Sequence, residues 1–156
     1  MGYISNLRSK IGHDPIFMPA ASCCIIKNNK ILLQKRTDNG DWAVHGGGLE
    51  LGETFEEGLI RELREELNIK PINPIIFNVY SGEEFHIFYP NQDEVYVIVA
   101  IYIVEDYIGE IKVDLNEVSE VRWFDFDNLP ENINKADIRP ITEVIKYIKE
   151  RSSWED

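Results

Sequence analysis

Apolar residues at Tyr3, Ile4, Leu7 and Ile11 have the spacing of one helix face, and Gly12 and Pro15 close that segment. The period then shortens. Ala20–Lys27 and Lys30–Lys35 read as two strands joined at Asn28-Asn29, residues that tolerate the positive φ of a tight hairpin. Trp42-Ala43-Val44 is a short extended piece that runs into a glycine trio, Gly46-Gly47-Gly48. A helical period returns from about Thr54 to Leu67, with Leu59, Leu63 and Leu67 forming the buried stripe. Thr54 and Glu57 are spaced as a capping box, Asn68 suits a left-handed terminus, and Pro71 prevents continuation. Further strands read at Ile75–Tyr80, Val95–Val104 and Val121–Phe124. A last helix, about Arg139–Arg151, carries Ile141, Val144, Ile145 and Ile148 on one face. This alternation predicts an α/β fold in which a mixed β-sheet lies between helices, over one domain of residues 1–156.

Composition narrows the functional classes. The chain has 156 residues, and its formal charge of −12 opposes a polyanionic partner, so duplex nucleic acid is not expected. No apolar run is long enough to cross a membrane, and the first residues lack the apolar core of a secretory signal. Cys23 and Cys24 are adjacent and point to opposite faces of a strand, which argues against a mutual disulfide and for a reducing cytoplasm.

The chemistry concentrates between Gly46 and Ile69. Glu62, Glu65 and Glu66 stand at i, i+3 and i+4, so a helix sets all three carboxylates on one face. Alone, that spacing describes a solvated acidic face balanced by Arg61 and Arg64. The glycines before it change the reading, because backbone without side chains can approach a cation or a phosphate. A hard divalent cation would turn the carboxylate repulsion into coordination.

Together these residues resemble the Nudix box, G-x5-E-x7-R-E-U-x-E-E-x-G-U, where U is a bulky aliphatic residue. Gly47, Glu53, Arg61, Glu62, Leu63, Glu65, Glu66 and Ile69 fall on its fixed positions, and Asn68 replaces the usual glycine. Gly58 stands where a small alanine is common. His45 stands where the family often has proline; it either touches substrate or orients the loop. Leu32-Leu33-Gln34-Lys35-Arg36, Gly40-Asp41-Trp42, Val121-Arg122-Trp123-Phe124 and Leu129-Pro130 extend the likeness from about Ala20 to Pro130.

The resemblance implies an α/β/α sandwich and Mg²⁺-dependent hydrolysis of a nucleoside diphosphate linked to a further group X, with Mn²⁺ as an alternative cation. It assigns Glu53, Arg61, Glu62, Glu65 and Glu66 to the catalytic set and Glu62, Glu65, Glu66 and the Gly47 carbonyl to the metal. Glu53 would bind the cation through water or help position Arg61, whose guanidinium would brace the carboxylates. Candidate general bases are Glu66, Glu117 and Glu120. Arg36, with Lys35, and His45 are candidate substrate contacts, and Trp42, Tyr80, Phe85, Tyr89 and Trp123 are candidates for stacking. The downstream proline of the ADP-ribose-cleaving subgroup is not in its usual place, since Pro90 lies too far on. A nucleoside triphosphate and a nucleotide sugar both remain open as substrates. The alternative is a catalytically weak Nudix-like module that binds nucleotides as a regulator. A small-molecule nucleotide partner and a homodimer are expected by the same resemblance.

Overall fold

The structure, a computed structural model, describes residues 2–116 and 118–154. Its helices are α1 (Tyr3–Ile11), α2 (Phe55–Leu67) and α3 (Lys135–Trp154). The strands are β1 (Ile16–Lys27), β2 (Lys30–Arg36), β3 (Trp42–Ala43), β4 (His45–Gly48), β5 (Lys70–Pro71), β6 (Ile75–Tyr80), β7 (His86–Phe88), β8 (Glu94–Val104), β9 (Tyr107–Ile108) and β10 (Val118–Asp125). The main sheet runs β10-β2-β1-β8-β6, with β3 on β2, β4 on β1 and β7 on β8; β5 and β9 form a small separate pair. Strands β1 and β8 are parallel and the other pairings are antiparallel, so the sheet is mixed.

Alternation along β1 divides the core into two layers. Ala21, Cys23 and Ile25 pack under Leu59, Leu63 and Leu67 of α2. Ala20, Cys24 and Ile26 face the opposite way, toward Ile141, Val144, Ile145 and Ile148 of α3. The result is an α/β/α sandwich. Each fully buried leucine of α2 contributes about 1.5–3 kcal/mol through the apolar surface it removes from water. Both cysteines are free and buried, and the strand pleat turns them to opposite layers. Among the described residues no helix is long and apolar enough to cross a membrane.

Several elements differ from the sequence reading. β1 begins at Ile16 and passes through Pro19, because Ile16 to Ile25 stay in register with Val95 to Val104. The glycine trio belongs to β4, which pairs Gly46, Gly47 and Gly48 with Ser22, Ala21 and Ala20. α3 starts at Lys135, ahead of Pro140. Asp137 N donates to Asn134 O at 2.9 Å and so holds the first turn. Asn28 and Asn29 do adopt positive φ, 53° and 59°, in the hairpin between β1 and β2.

Candidate active site

α2 is built from local chemistry. Thr54 Oγ1 accepts a hydrogen bond from Glu57 N at 3.1 Å and caps the first turn. Asn68 closes the helix at φ 60°, ψ 35°, and its amide reaches Arg64 O, so asparagine fills the left-handed position that glycine would take. With the leucines fixed underneath, Glu62 and Glu65 emerge beside Arg61.

Arg61 ties this edge together. Its Nε donates to Glu53 Oε2 at 2.7 Å and its Nη2 to Glu53 Oε1 at 3.0 Å. Nη1 reaches Glu62 Oε1 at 2.9 Å and Glu65 Oε2 at 3.5 Å, and Nη2 also donates to Gly48 O at 3.0 Å. Hydrogen bonds from Arg61 hold the Glu53 carboxyl below its ordinary range, and Glu53 in turn stabilises the charged guanidinium.

The carboxylates differ sharply in surroundings. The Glu65 side chain is 54% exposed and that of Glu62 only 15%. Glu66 as a residue is 5% exposed and accepts a 2.9 Å hydrogen bond from Gln34 Nε2. The same Gln34 nitrogen donates to Val44 O at 2.9 Å, which orients the amide. Glu66 lines a cavity of about 570 Å³ together with Gly46, Gly47, Gly48, Gln34 and Arg36. The lining also includes Phe85, Tyr89, Asn134 and Asp137.

A family model described as "NUDIX domain" matches residues 16–144. The chain belongs to the NUDIX family. An ADP-ribose pyrophosphatase of Methanocaldococcus jannaschii is 38% identical over 69% of this chain and 61% of that protein. An NAD-capped RNA hydrolase NudC of Vibrio vulnificus is 31% identical over 76% of this chain and 42% of its own length. This chain therefore spans less than two thirds of either relative. The crystal structure of a MutT NUDIX hydrolase from Burkholderia pseudomallei matches with a TM-score of 0.70 at 25% identity, covering 83% of this chain and 97% of that one.

Within this NUDIX fold the donor chemistry suits a hard divalent cation. Three carboxylates rise from one helix, and Gly47 leaves room beside Glu62 that a Cβ would fill, 2.7 Å from its Oε1. The carboxylates are held by two different partners, Glu62 and Glu65 by Arg61 Nη1 and Glu66 by Gln34 Nε2. Among the described residues no three acidic, His or Cys groups converge on a common point. Rotation about glutamate χ angles between staggered wells is the motion that would bring them together.

Other expected residues divide. Arg36 lines the cavity, where its Nε and Nη2 form a paired contact with Asp38 at 2.9 and 2.6 Å. Lys35 is half-buried on β2 and is not part of the cavity wall. His45, expected either to touch substrate or to orient the loop, stands away from the cavity. It is fully buried on the α2 side of the sheet, outside the cavity wall, and its Nε2 donates to Leu32 O at 2.9 Å. Burial lowers the imidazole pKa to about 4, so it is a neutral structural group. Glu120 also stands away from the cavity and pairs with Arg122 at 3.0 Å. Glu117 lies outside the described residues. Among the aromatics, Phe85 and Tyr89 reach the cavity. Tyr80 donates to Glu143, Trp42 packs edge-on against Phe124, and Trp123 joins the α2 layer.

The sequence reading missed Asp137. Its Oδ2 accepts hydrogen bonds from Val44 N and Asn134 Nδ2, both at 3.2 Å, and burial pushes its carboxyl up to about 6. A polar residue in the first turn of a helix is ordinary in sequence. Only the fold brings this one to the cavity.

Proposed function

We propose that the chain is a divalent-metal-dependent pyrophosphohydrolase that cleaves the diphosphate of a nucleoside diphosphate linked to a sugar, with ADP-ribose as the first substrate to test. The observation that carries this reading is the opening of the NUDIX helix, through Glu66 and the β4 glycines, onto a 570 Å³ cavity. That volume suits a nucleotide-sized ligand. The M. jannaschii relative, named an ADP-ribose pyrophosphatase, supports the nucleotide-sugar branch over the triphosphate branch.

Glu62, Glu65 and Glu66, with the Gly47 carbonyl, would hold Mg²⁺ or Mn²⁺. When bound, such a cation polarises the diphosphate and offsets charge on the leaving phosphate. Arg61 keeps Glu62 and Glu65 from dispersing. Arg36 exchanges Asp38 for phosphate oxygens, while Phe85 and Tyr89 shield the organic end of the substrate from water. Asp137 and Asn134 offer an acceptor and a donor to its base or sugar hydroxyls. Glu66, its Oε2 anchored by Gln34, is the candidate acceptor for the proton of the attacking water.

A second reading, a nucleotide-binding module of low turnover, is favoured by the division of the carboxylates between Arg61, which holds Glu62 and Glu65, and Gln34, which holds Glu66. The deciding assay offers ADP-ribose, nucleotide sugars, nucleoside triphosphates, dinucleoside polyphosphates and capped RNA with Mg²⁺ or Mn²⁺. Release of AMP and ribose 5-phosphate from ADP-ribose is expected. Binding of a nucleotide with no product from any member of the panel would support the module reading.

A further inference from the structure

The matched family segment begins at residue 16, yet α1, which precedes it, is joined to the connection between β4 and α2. The joint is Glu50. Its Oε2 accepts a 2.9 Å hydrogen bond from Tyr3 N, the first residue of α1. Its other oxygen lies so close to Gly2 that a Cβ there would stand 2.5 Å away. A carboxylate at this end of a nine-residue helix satisfies an orphan amide and meets the positive end of the helix dipole.

Glu50 also faces inward through its backbone. Its amide donates to Glu53 Oε1 at 2.7 Å, the oxygen that Arg61 Nη2 grips at 3.0 Å. The connection therefore runs from the α1 amide to Glu50, on to Glu53 and Arg61, and ends at Glu62 and Glu65. The far end of α1 is fastened separately. Arg8 Nη2 donates to Glu94 O at 2.8 Å, and Nη1 donates to Asp14 O at 2.6 Å. No residue of α1 is fully buried, so polar links at its two ends have a large share in seating it.

We propose that Glu50 is a positioning residue, which couples the seating of α1 to the Arg61-braced carboxylates through its side chain on Tyr3 and its amide on Glu53. Glu50 stands outside the cavity wall. It acts by limiting the loop from Gly48 to Glu53, so that Glu53 presents both oxygens to Arg61. The inference rests on the metal-site reading above.

The test uses the full chain and Mn²⁺ alone as probe, followed by electron paramagnetic resonance, with ADP-ribose turnover as a second readout. Glu50→Ala is expected to weaken Mn²⁺ binding roughly three- to ten-fold, below the full effect of a direct outer-shell partner. At saturating Mn²⁺ its kcat should return to within about twofold of the parent. Glu50→Gln keeps an acceptor for Tyr3 N and should restore most of the affinity. Arg8→Ala, which frees the opposite end of α1, should shift affinity in the same direction by a smaller factor. Thermal melts confirm that each variant is folded at the assay temperature. Parent-like Mn²⁺ affinity in folded Glu50→Ala would overturn the proposal, as would an equal loss in Glu50→Gln. A parent protein that binds no Mn²⁺ would overturn the metal-site reading itself and this inference with it.

Discussion

The Glu62 carboxylate lies in the space that a side chain at Gly47 would fill, with 2.7 Å between its Oε1 and the Cβ position. The φ of Gly47 is not among the positive values, so its need for glycine comes from this neighbour. Gly47→Ala should fold, since the obstacle is the end of a flexible side chain, and metal-dependent turnover should fall roughly 10–100-fold as Glu62 is displaced. Gly46 differs: its φ is 144°, and a Cβ would meet the Ala21 carbonyl at 2.2 Å. Gly46→Ala should lose at least about 3 kcal/mol of stability. Urea unfolding beside a turnover assay separates the two, and equal stability of both variants would refute the distinction.

Arg61→Lys keeps the charge and loses the fork that spans both Glu53 oxygens. Turnover is expected to drop about 10–100-fold, with a stability change of only about 1 kcal/mol. Parallel measurements of Mn²⁺ affinity and Tm check this. A loss of Tm large enough to explain the activity loss would show that Arg61 serves stability alone.

Glu65 is the most exposed of the three helix carboxylates, so Glu65→Gln should change stability by less than about 0.5 kcal/mol. Its metal-dependent turnover should nevertheless fall by at least about tenfold. Unchanged turnover would remove Glu65 from the metal site. Glu66→Gln should also lose turnover, accompanied by a stability change, because Glu66 is buried against Gln34.

A buried group, His45, and a half-buried one, Asp137, give opposite pH signatures. Folding lowers the His45 pKa from 6.5 to about 4, so between those values the unfolded chain takes up a proton that the folded chain refuses. Stability from this group falls as pH drops through that window, by up to ~3 kcal/mol. Folding raises the Asp137 pKa from 3.8 to about 6, so the folded chain retains a proton that the unfolded chain releases. Its contribution is full below pH 3.8 and is lost as pH rises through 6. Asp137→Asn should therefore be more stable than the parent at pH 7.5, by up to ~3 kcal/mol, with the gap shrinking toward pH 4. Urea unfolding across pH 4–8 reads the difference, and a pH-independent gap would contradict the assignment.

Much of the fold was legible because it follows local rules. Leu59, Leu63 and Leu67 define a helix face by spacing, Thr54 caps it, and Asn28-Asn29 suits the turn that joins β1 to β2. Strand ends were less readable. Pro19 and Pro140 look like breakers locally, yet ten residues of parallel register carry β1 through the first, and α3 packing buries the second. β7 was missed because His86–Phe88 is a three-residue strand, too short to display a period.

The same division holds at the site. Sequence alone determined that Glu62, Glu65 and Glu66 share a helix face, that Arg61 stands beside them and that glycines precede them, since helical geometry acts over four residues. Only the tertiary structure decided that Glu66 is buried while Glu65 is exposed, and that His45 turns away from the cavity. It also brought Asp137 to the amide of Val44 across 93 positions of sequence, and Glu50 to Tyr3 across 47. These are consequences of how the sheet pairs and which layer each strand residue enters. A side chain's spacing along its own element carries no record of the surface that another element will place against it.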